Sequence, residues 1–403
     1  MSLANGHKFL AIPGPTNIPE QVLRAMHRPA IDVYDGELVD ICDSLHSDYK
    51  RLFRTQSDHV YTYISNGHGG WEAALSNTLS RGDRVLVLES GRFALAWGET
   101  ARKMGLDVEI LKGDFRRAVN PDALEARLAE DKDQQIRAIL VVQIDTASGV
   151  RNDIEALGRV IRKARHPALF IVDVIASLGC VPFEFDAWAV DIALAASQKG
   201  LMSPPGLSLM AVNSRTRKLC GQGDLNTAYW DWNGKESPVF YQRFTGTPPV
   251  HLLFALRRAL TMLLDEEGLQ NAWERHSVLA AAARAAVQAW ATGANKQSAV
   301  NFNITNPSDR CDTVTTVVCD PACRAEDLRN FVRDEAGLTI GAGIGQKESN
   351  GFRIAHMGHI NAPMLLGTLA TLEMGMKSLD WDIGDTGVKA SIDHLAGQFR
   401  KPA

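Results

Sequence analysis

Long apolar runs are missing from this sequence. Nowhere in its 403 residues does such a run approach the roughly 20 that cross a bilayer. No basic amphipathic stretch suits a membrane surface. The opening MSLANGHKFLAIPGP has no long apolar segment and reaches prolines quickly, which argues against a signal peptide. Cysteine is sparse: Cys42, Cys180, Cys220, Cys311, Cys319 and Cys323 are scattered without a secreted-type framework. Reduced thiols and a cytoplasmic protein are therefore expected. Cys319 and Cys323 lack a second pair at zinc spacing, so no metal site is expected. Charge of one sign is missing too: the net charge is −4, with no block of like charge. Without a basic field, neither nucleic acid nor a membrane is expected as a partner. What remains is an ordinary globular composition, 45% apolar and 22% charged, long enough for two or three domains.

Against that background one stretch stands out. The apolar run Ala168 to Val172 ends on Asp173, and a second, Ile192 to Ala196, ends in Ser197, Gln198 and Lys199. Short apolar runs between breakers read as strands buried on both faces of a parallel sheet. Ligands bind such sheets at the carboxyl ends of their strands, which predicts Asp173 and Lys199 at one edge. An acid and an amine there suit pyridoxal phosphate, whose aldehyde needs a lysine and whose ring nitrogen needs an acidic partner. A surface lysine and a strand-end aspartate is the plainer reading of these two alone.

The rest of the chain supports an α/β fold. Strands are predicted over 60–65, 85–89, 107–111, 136–142 and 207–212, alternating with helices over 37–54, from Trp71, through Trp97 and Ala101, and over 153–165. That rhythm gives a mostly parallel, doubly wound sheet. Asn66-Gly67-His68-Gly69-Gly70 lies between a strand and a helix, an anion cradle if its N–H groups are free. It does not fit the dinucleotide fingerprint G-x-G-x-x-G. Phe93 could lie flat on a cofactor ring or be core. The loop from Gln143 to Val150 leaves a buried strand and is a natural place for site residues. Residues 12–19, rich in Pro and Gly, read either as an arm over the surface or as a loop lining a site. Residues 213–249 read as irregular and aromatic, followed by helices over 250–265 and 269–291. A smaller α+β unit follows, giving an arm (1–20), a large domain (21–268) and a small domain (269–403).

Taken together, PGPTNIP (13–19), SNGHGGWEAALSNTL, DTASGV, the Asp173 strand, SQKGLMSPPGL, TPPV and FRIAHMG resemble, in order, the class V aminotransferases. This fold type I group depends on pyridoxal phosphate and contains the serine–glyoxylate and alanine–glyoxylate enzymes. The resemblance implies a large domain with a mostly parallel seven-stranded sheet and a smaller C-terminal α+β domain. It implies transfer of an amino group from a small amino acid to a 2-oxo acid such as glyoxylate or pyruvate. Lys199 would carry the cofactor as an internal aldimine, and Asp173 would face the ring nitrogen. Phe93 would stack on the ring, with Ile175 also at the cofactor and Thr146 near its phenolic oxygen. Gly67, His68, Gly69 and Gln198 would serve the phosphate. Thr247 would reach the phosphate of a neighbouring subunit, implying a homodimer with shared sites. Arg353 would clamp the substrate carboxylate, with Tyr34 and Asn17 as further substrate-side residues. Three departures stand out: Val33-Tyr34-Asp35 where serine–glyoxylate enzymes often have His-Arg-Ser, DTASGV in place of ETATGV, and Phe244 in place of a Tyr. The first two, with PPGLSLM, lean toward pyridoxamine–pyruvate aminotransferase. The stretch 341–346 lacks that enzyme's second arginine. An aspartate–glyoxylate aminotransferase is a further alternative. A lyase such as a cysteine desulfurase is disfavoured because residues 340–353 hold no cysteine for it, and a non-catalytic module because Lys199, Asp173 and Arg353 are retained together.

Overall fold

Side chains leave a strand alternately to its two faces, so a strand apolar at every position needs cover on both. The computed structural model, which describes residues 2–293, 298–345 and 350–399, meets that need with a seven-stranded sheet. The strands of the first half are β1 (Phe9–Ala11), β2 (Val60–Ile64), β3 (Arg84–Leu88), β4 (Asp107–Leu111), β5 (Ile136–Val142), β6 (Ile144–Asp145) and β7 (Val150–Arg151). Those of the second are β8 (Leu169–Asp173), β9 (Ile192–Ala196), β10 (Leu207–Val212), β11 (Val300–Phe302), β12 (Val314–Cys319), β13 (Leu338–Ala342) and β14 (Gly351–Ala355). The large sheet runs β2-β10-β9-β8-β5-β3-β4. Its pairs are parallel except those of β10, which is antiparallel to both β9 and β2.

Alternation then sorts the apolar residues into two cores. Leu86, Leu88, Phe170 and Val172 join the core on one face. Val85, Val87, Leu169 and Ile171 join the core on the other. Asp173 follows Ile171 by two residues, so it points to that second face, where the helix Gly67–Ser76 packs with Trp71. A third core lies under the five-stranded sheet β1-β13-β14-β12-β11, and its helices supply Trp290, Leu328 and Leu369.

Several expectations change. The glycines Gly67, Gly69 and Gly70 are not a turn ahead of a helix; they are its first turn, with Asn66 as N-cap. The segment from Ile144 to Val150 is not a polar loop: β6 and β7 make a hairpin with every residue from Ile144 to Val150 buried. The arm does more than cross the surface, since β1 pairs in parallel with β13 and extends the smaller sheet. The irregular stretch 213–249 contains the single helical turns Ser214–Arg217 and Trp232–Lys235 and the 3-10 turn Phe240–Phe244. The helix Val250–Thr261 widens into a π-helical turn, Met262–Glu267, before the helix Leu269–Trp290. The helix Gly387–Gly397 was not anticipated. Among the described residues no helix is long and apolar enough to cross a membrane.

Candidate active site

Strands β8 and β9 are adjacent and parallel, with Asp173 opposite Leu194. Their carboxyl ends therefore share one edge of the sheet. Three residues beyond β9 the turn brings Lys199 back over that edge. A cavity of about 210 Å³ opens there, lined by Gly67, His68, Phe93, Thr146, Asp173, Ile175, Gln198 and Lys199. Residues from five separate stretches thus meet as their order in the sheet requires.

Asp173 forms the cavity's buried end. Its Oδ2 accepts from Trp71 Nε1 at 2.7 Å and its Oδ1 from the Ile175 amide at 2.7 Å, which fixes the plane of the carboxylate. Burial pushes its pKa up to about 7, against the pull of those two donors and of Lys199. Burial, then the nearby Arg353, lowers Lys199 to about 8, so near neutrality a useful fraction of the amine is the nucleophilic free base. The amine donates to the Pro13 carbonyl. Thr16 Oγ1 donates to the Lys199 carbonyl at 2.9 Å, and the Thr16 amide to the Gln198 carbonyl at 3.0 Å. The arm therefore lines the site. Gly14 is held against the lysine side chain, where a Cβ would overlap the amine.

At the other end, a Cβ on Gly67 would overlap Ile175, and one on Gly69 would press on Ser65 and Trp230. Bare backbone is what this turn requires. Its amides are not all free, however. Asn66 Oδ1 accepts from the His68 amide at 3.0 Å and the Gly69 amide at 3.4 Å. The side-chain oxygen of Gln198 is buried without a partner.

Arg353, on β14, donates through Nε to the Ala342 carbonyl at 2.6 Å and through Nη1 to the Thr146 carbonyl at 3.0 Å. One N–H on Nη1 and both on Nη2 remain for an end-on carboxylate. Burial lowers its pKa to about 10, opposed by Asp145, and it stays cationic at neutral pH. Five expected residues do not line the cavity: Gly69, Arg353, which reaches its wall only through the Thr146 carbonyl, and Asn17, Tyr34 and Thr247. Asn17 uses its amide to hold the Leu10 carbonyl at 2.8 Å. Tyr34 is 69% exposed and meets Tyr241 edge-on at 5.3 Å. Thr247 is exposed. Part of the stretch before Arg353, residues 346–349, lies outside the described residues. Sequence reasoning missed Trp71, which reads as a core residue of a helix. It offered residues 12–19 as a loop lining a site but did not single out Pro13 and Thr16, since a contact through a backbone carbonyl leaves no signature of its own.

The sequence profile of the family described as Aminotransferase class-V matches residues 9–349. The chain belongs to the class-V aminotransferases. It is 38% identical to a serine–glyoxylate aminotransferase of Methylorubrum extorquens over 96% of this chain and 93% of that one. It is 34% identical to an L-aspartate–glyoxylate aminotransferase of Paracoccus denitrificans over 95% of each. The pyridoxamine–pyruvate aminotransferase of Mesorhizobium loti shares the fold, with a TM-score of 0.88 over 99% of this chain and all of that one at 24% identity. As a class-V aminotransferase it uses pyridoxal phosphate. The cavity's chemistry fits that group. A buried amine of lowered pKa and an oriented carboxylate lie in one chamber. A side-chain-free helix start and the Gln198 amide, whose NH2 can donate to a phosphate, line the same cavity.

Proposed function

We propose that this aminotransferase moves an amino group from a small amino acid of the serine or alanine type to a 2-oxo acid such as glyoxylate or pyruvate. The observation that carries the reading is the convergence of Lys199 and Asp173 on one cavity, with Arg353 bonded to the Thr146 backbone of its wall. The names of the serine– and aspartate–glyoxylate relatives support glyoxylate as acceptor. Lys199 would hold the cofactor covalently, Asp173 would face its ring nitrogen, and Phe93 would cover its face. Gly67, His68, Gly69 and Gln198 would surround the phosphate, with Ile175 and Thr146 beside the ring. Bound pyridoxal phosphate supplies an electron sink for the pair left on the substrate Cα when its proton departs. Lys199 Nζ would take that proton from the substrate Cα and return it to the cofactor carbon C4′, on the other side of the shared nitrogen. Arg353 holds the α-carboxylate and so fixes which Cα bond faces Lys199. The arm residues Pro13 and Gly14 pack against the amine and hold it in place.

The exposed Thr247 and Tyr34 support a homodimer in which both residues serve the partner's site. Six free cysteines suit a cytoplasmic protein. No cysteine lines the cavity, and burial drives the thiol of Cys180 up to about 12, which disfavours a desulfurase. The test is a half-reaction screen of the loaded enzyme. Serine or alanine should bleach the visible cofactor band, and glyoxylate or pyruvate should restore it. A band that no common amino acid and no pyridoxamine–pyruvate pair moves would remove the reading.

A further inference from the structure

Asp145 is fully buried, takes no part in the mechanism above and does not line the cavity, although its neighbours Ile144 and Thr146 do. Its carboxylate points instead across to the start of the helix Arg92–Lys103. Oδ2 accepts from the Phe93 amide at 2.8 Å and the Ala94 amide at 3.1 Å, while Oδ1 accepts from the Ala147 amide at 3.0 Å. That helix has no side-chain cap of its own, its N-cap being Gly91. A carboxylate 52 residues away therefore satisfies amides that a local cap would otherwise take. Gly91 leaves the space for it, since a Cβ there would overlap the Asp145 carboxylate. The hairpin is pinned as well: the Gly149 amide donates to the Asp145 carbonyl at 2.8 Å. The next carbonyl along, that of Thr146, is the one that receives Arg353 at 3.0 Å.

We infer that Asp145 is a positioning residue that sets two things at once: where Phe93 lies against the cofactor ring, and where Arg353 presents its guanidinium to the substrate carboxylate. This rests on the reading of the site proposed above. The chemistry demands an ionised carboxylate rather than any polar group. Three amide donors divide between two oxygens, and an asparagine offers one oxygen and one donor nitrogen. Whichever way the amide turns, either the helix start or the Ala147 turn meets an N–H.

The test compares Asp145→Asn, Asp145→Glu and Lys199→Ala as holoenzymes, by circular dichroism of the bound cofactor, KM for the 2-oxo acid and thermal melting. Asp145→Asn should still melt cooperatively. It should lose about half of the visible dichroism per bound cofactor and raise KM on the order of tenfold. Asp145→Glu, which keeps two acceptor oxygens, should recover most of both. Dichroism and KM within about twofold of wild type in Asp145→Asn, or equal damage in Asp145→Glu, would overturn the inference. Should Asp145→Asn fail to fold, Gly91→Ala displaces the same carboxylate. It should show the same two changes, and unchanged values there would equally overturn it. The two readings fail separately. A covalent cofactor band that survives in Lys199→Ala defeats the proposed site itself. Loss of that band beside a normal Asp145→Asn defeats only the positioning role.

Discussion

Each oxygen of Asp173 already has a donor, the Trp71 indole on one and the Ile175 amide on the other. A buried carboxylate left to itself would pick up a proton, and burial does raise Asp173 to about 7. The two donors hold that rise in check and turn the carboxylate edge-on. Trp71 is itself fixed by stacking on Trp97, with ring centroids 5.8 Å apart and planes 14° apart. Replacing the indole by a phenyl ring removes one donor while keeping an aromatic body. Trp71→Phe should therefore push the Asp173 pKa further up and weaken its hold on a protonated ring nitrogen. Cofactor affinity should fall on the order of tenfold, read by absorbance titration of the apoenzyme. An unchanged Kd would mean that the indole donor is dispensable.

The helix Leu269–Trp290 carries a different dependence. His276 on it accepts at Nε2 from the Gly358 amide at 3.0 Å and faces the Ala272 carbonyl through Nδ1 at 2.6 Å. The Gly358 amide can only donate, so Nε2 must be bare and the ring neutral. Arg275, one residue before it, donates to the carbonyls of Gly358 at 3.1 Å and Ile360 at 2.9 Å. Together they hold the turn after β14 against Thr16 and the Lys199 carbonyl. Burial, then Arg275, lowers His276 from 6.5 to about 3. The folded state therefore binds fewer protons than the unfolded one between those values. Stability from this histidine is whole above 6.5 and is lost progressively as the pH falls toward about 3. His276→Gln should remove the dependence: between pH 7 and pH 5 wild type should lose about 2 kcal/mol more than the variant, measured by urea unfolding at each pH. Equal losses would show that the ring does not titrate on unfolding. None of this junction was legible beforehand, because a histidine in an alanine-rich helix carries no sign of the turn it will meet. What was legible were elements whose local pattern already decides their place. Five-residue apolar runs ending on Asp173 and near Lys199 are too short for helices and read as buried strands, and buried parallel strands fix which ends share an edge. Strand β1 is three residues long, too short to show a period. The hairpin β6–β7 reads as polar because Asp145 and Ser148 spend their side-chain polarity on bonds within the fold and Thr146 lines the cavity.

At the scale of the whole molecule, one chain gathers most of the expected site residues but leaves Thr247 and Tyr34 exposed. Gly67, Phe93, Thr146, Asp173, Gln198 and Lys199 meet in a single chamber. Thr247 and Tyr34 are exposed and do not line it. If these complete the site of a second copy, a damaged chain can still lend its Thr247 to a partner whose Lys199 is intact. Isologous dimers make that exchange quantitative. Lys199→Ala chains alone should be inactive. Thr247→Ala chains should lose cofactor when it is limiting. Unfolded together, mixed in equal amounts and refolded, half the dimers should pair one chain of each kind. Each such dimer holds one site with every group in place, so turnover at limiting cofactor should recover to about a quarter of the wild-type value. If Thr247 instead acts within its own chain, no mixed dimer contains a complete site. The mixture would then show no more than the average of its two parents, and the shared-site dimer would have to be abandoned.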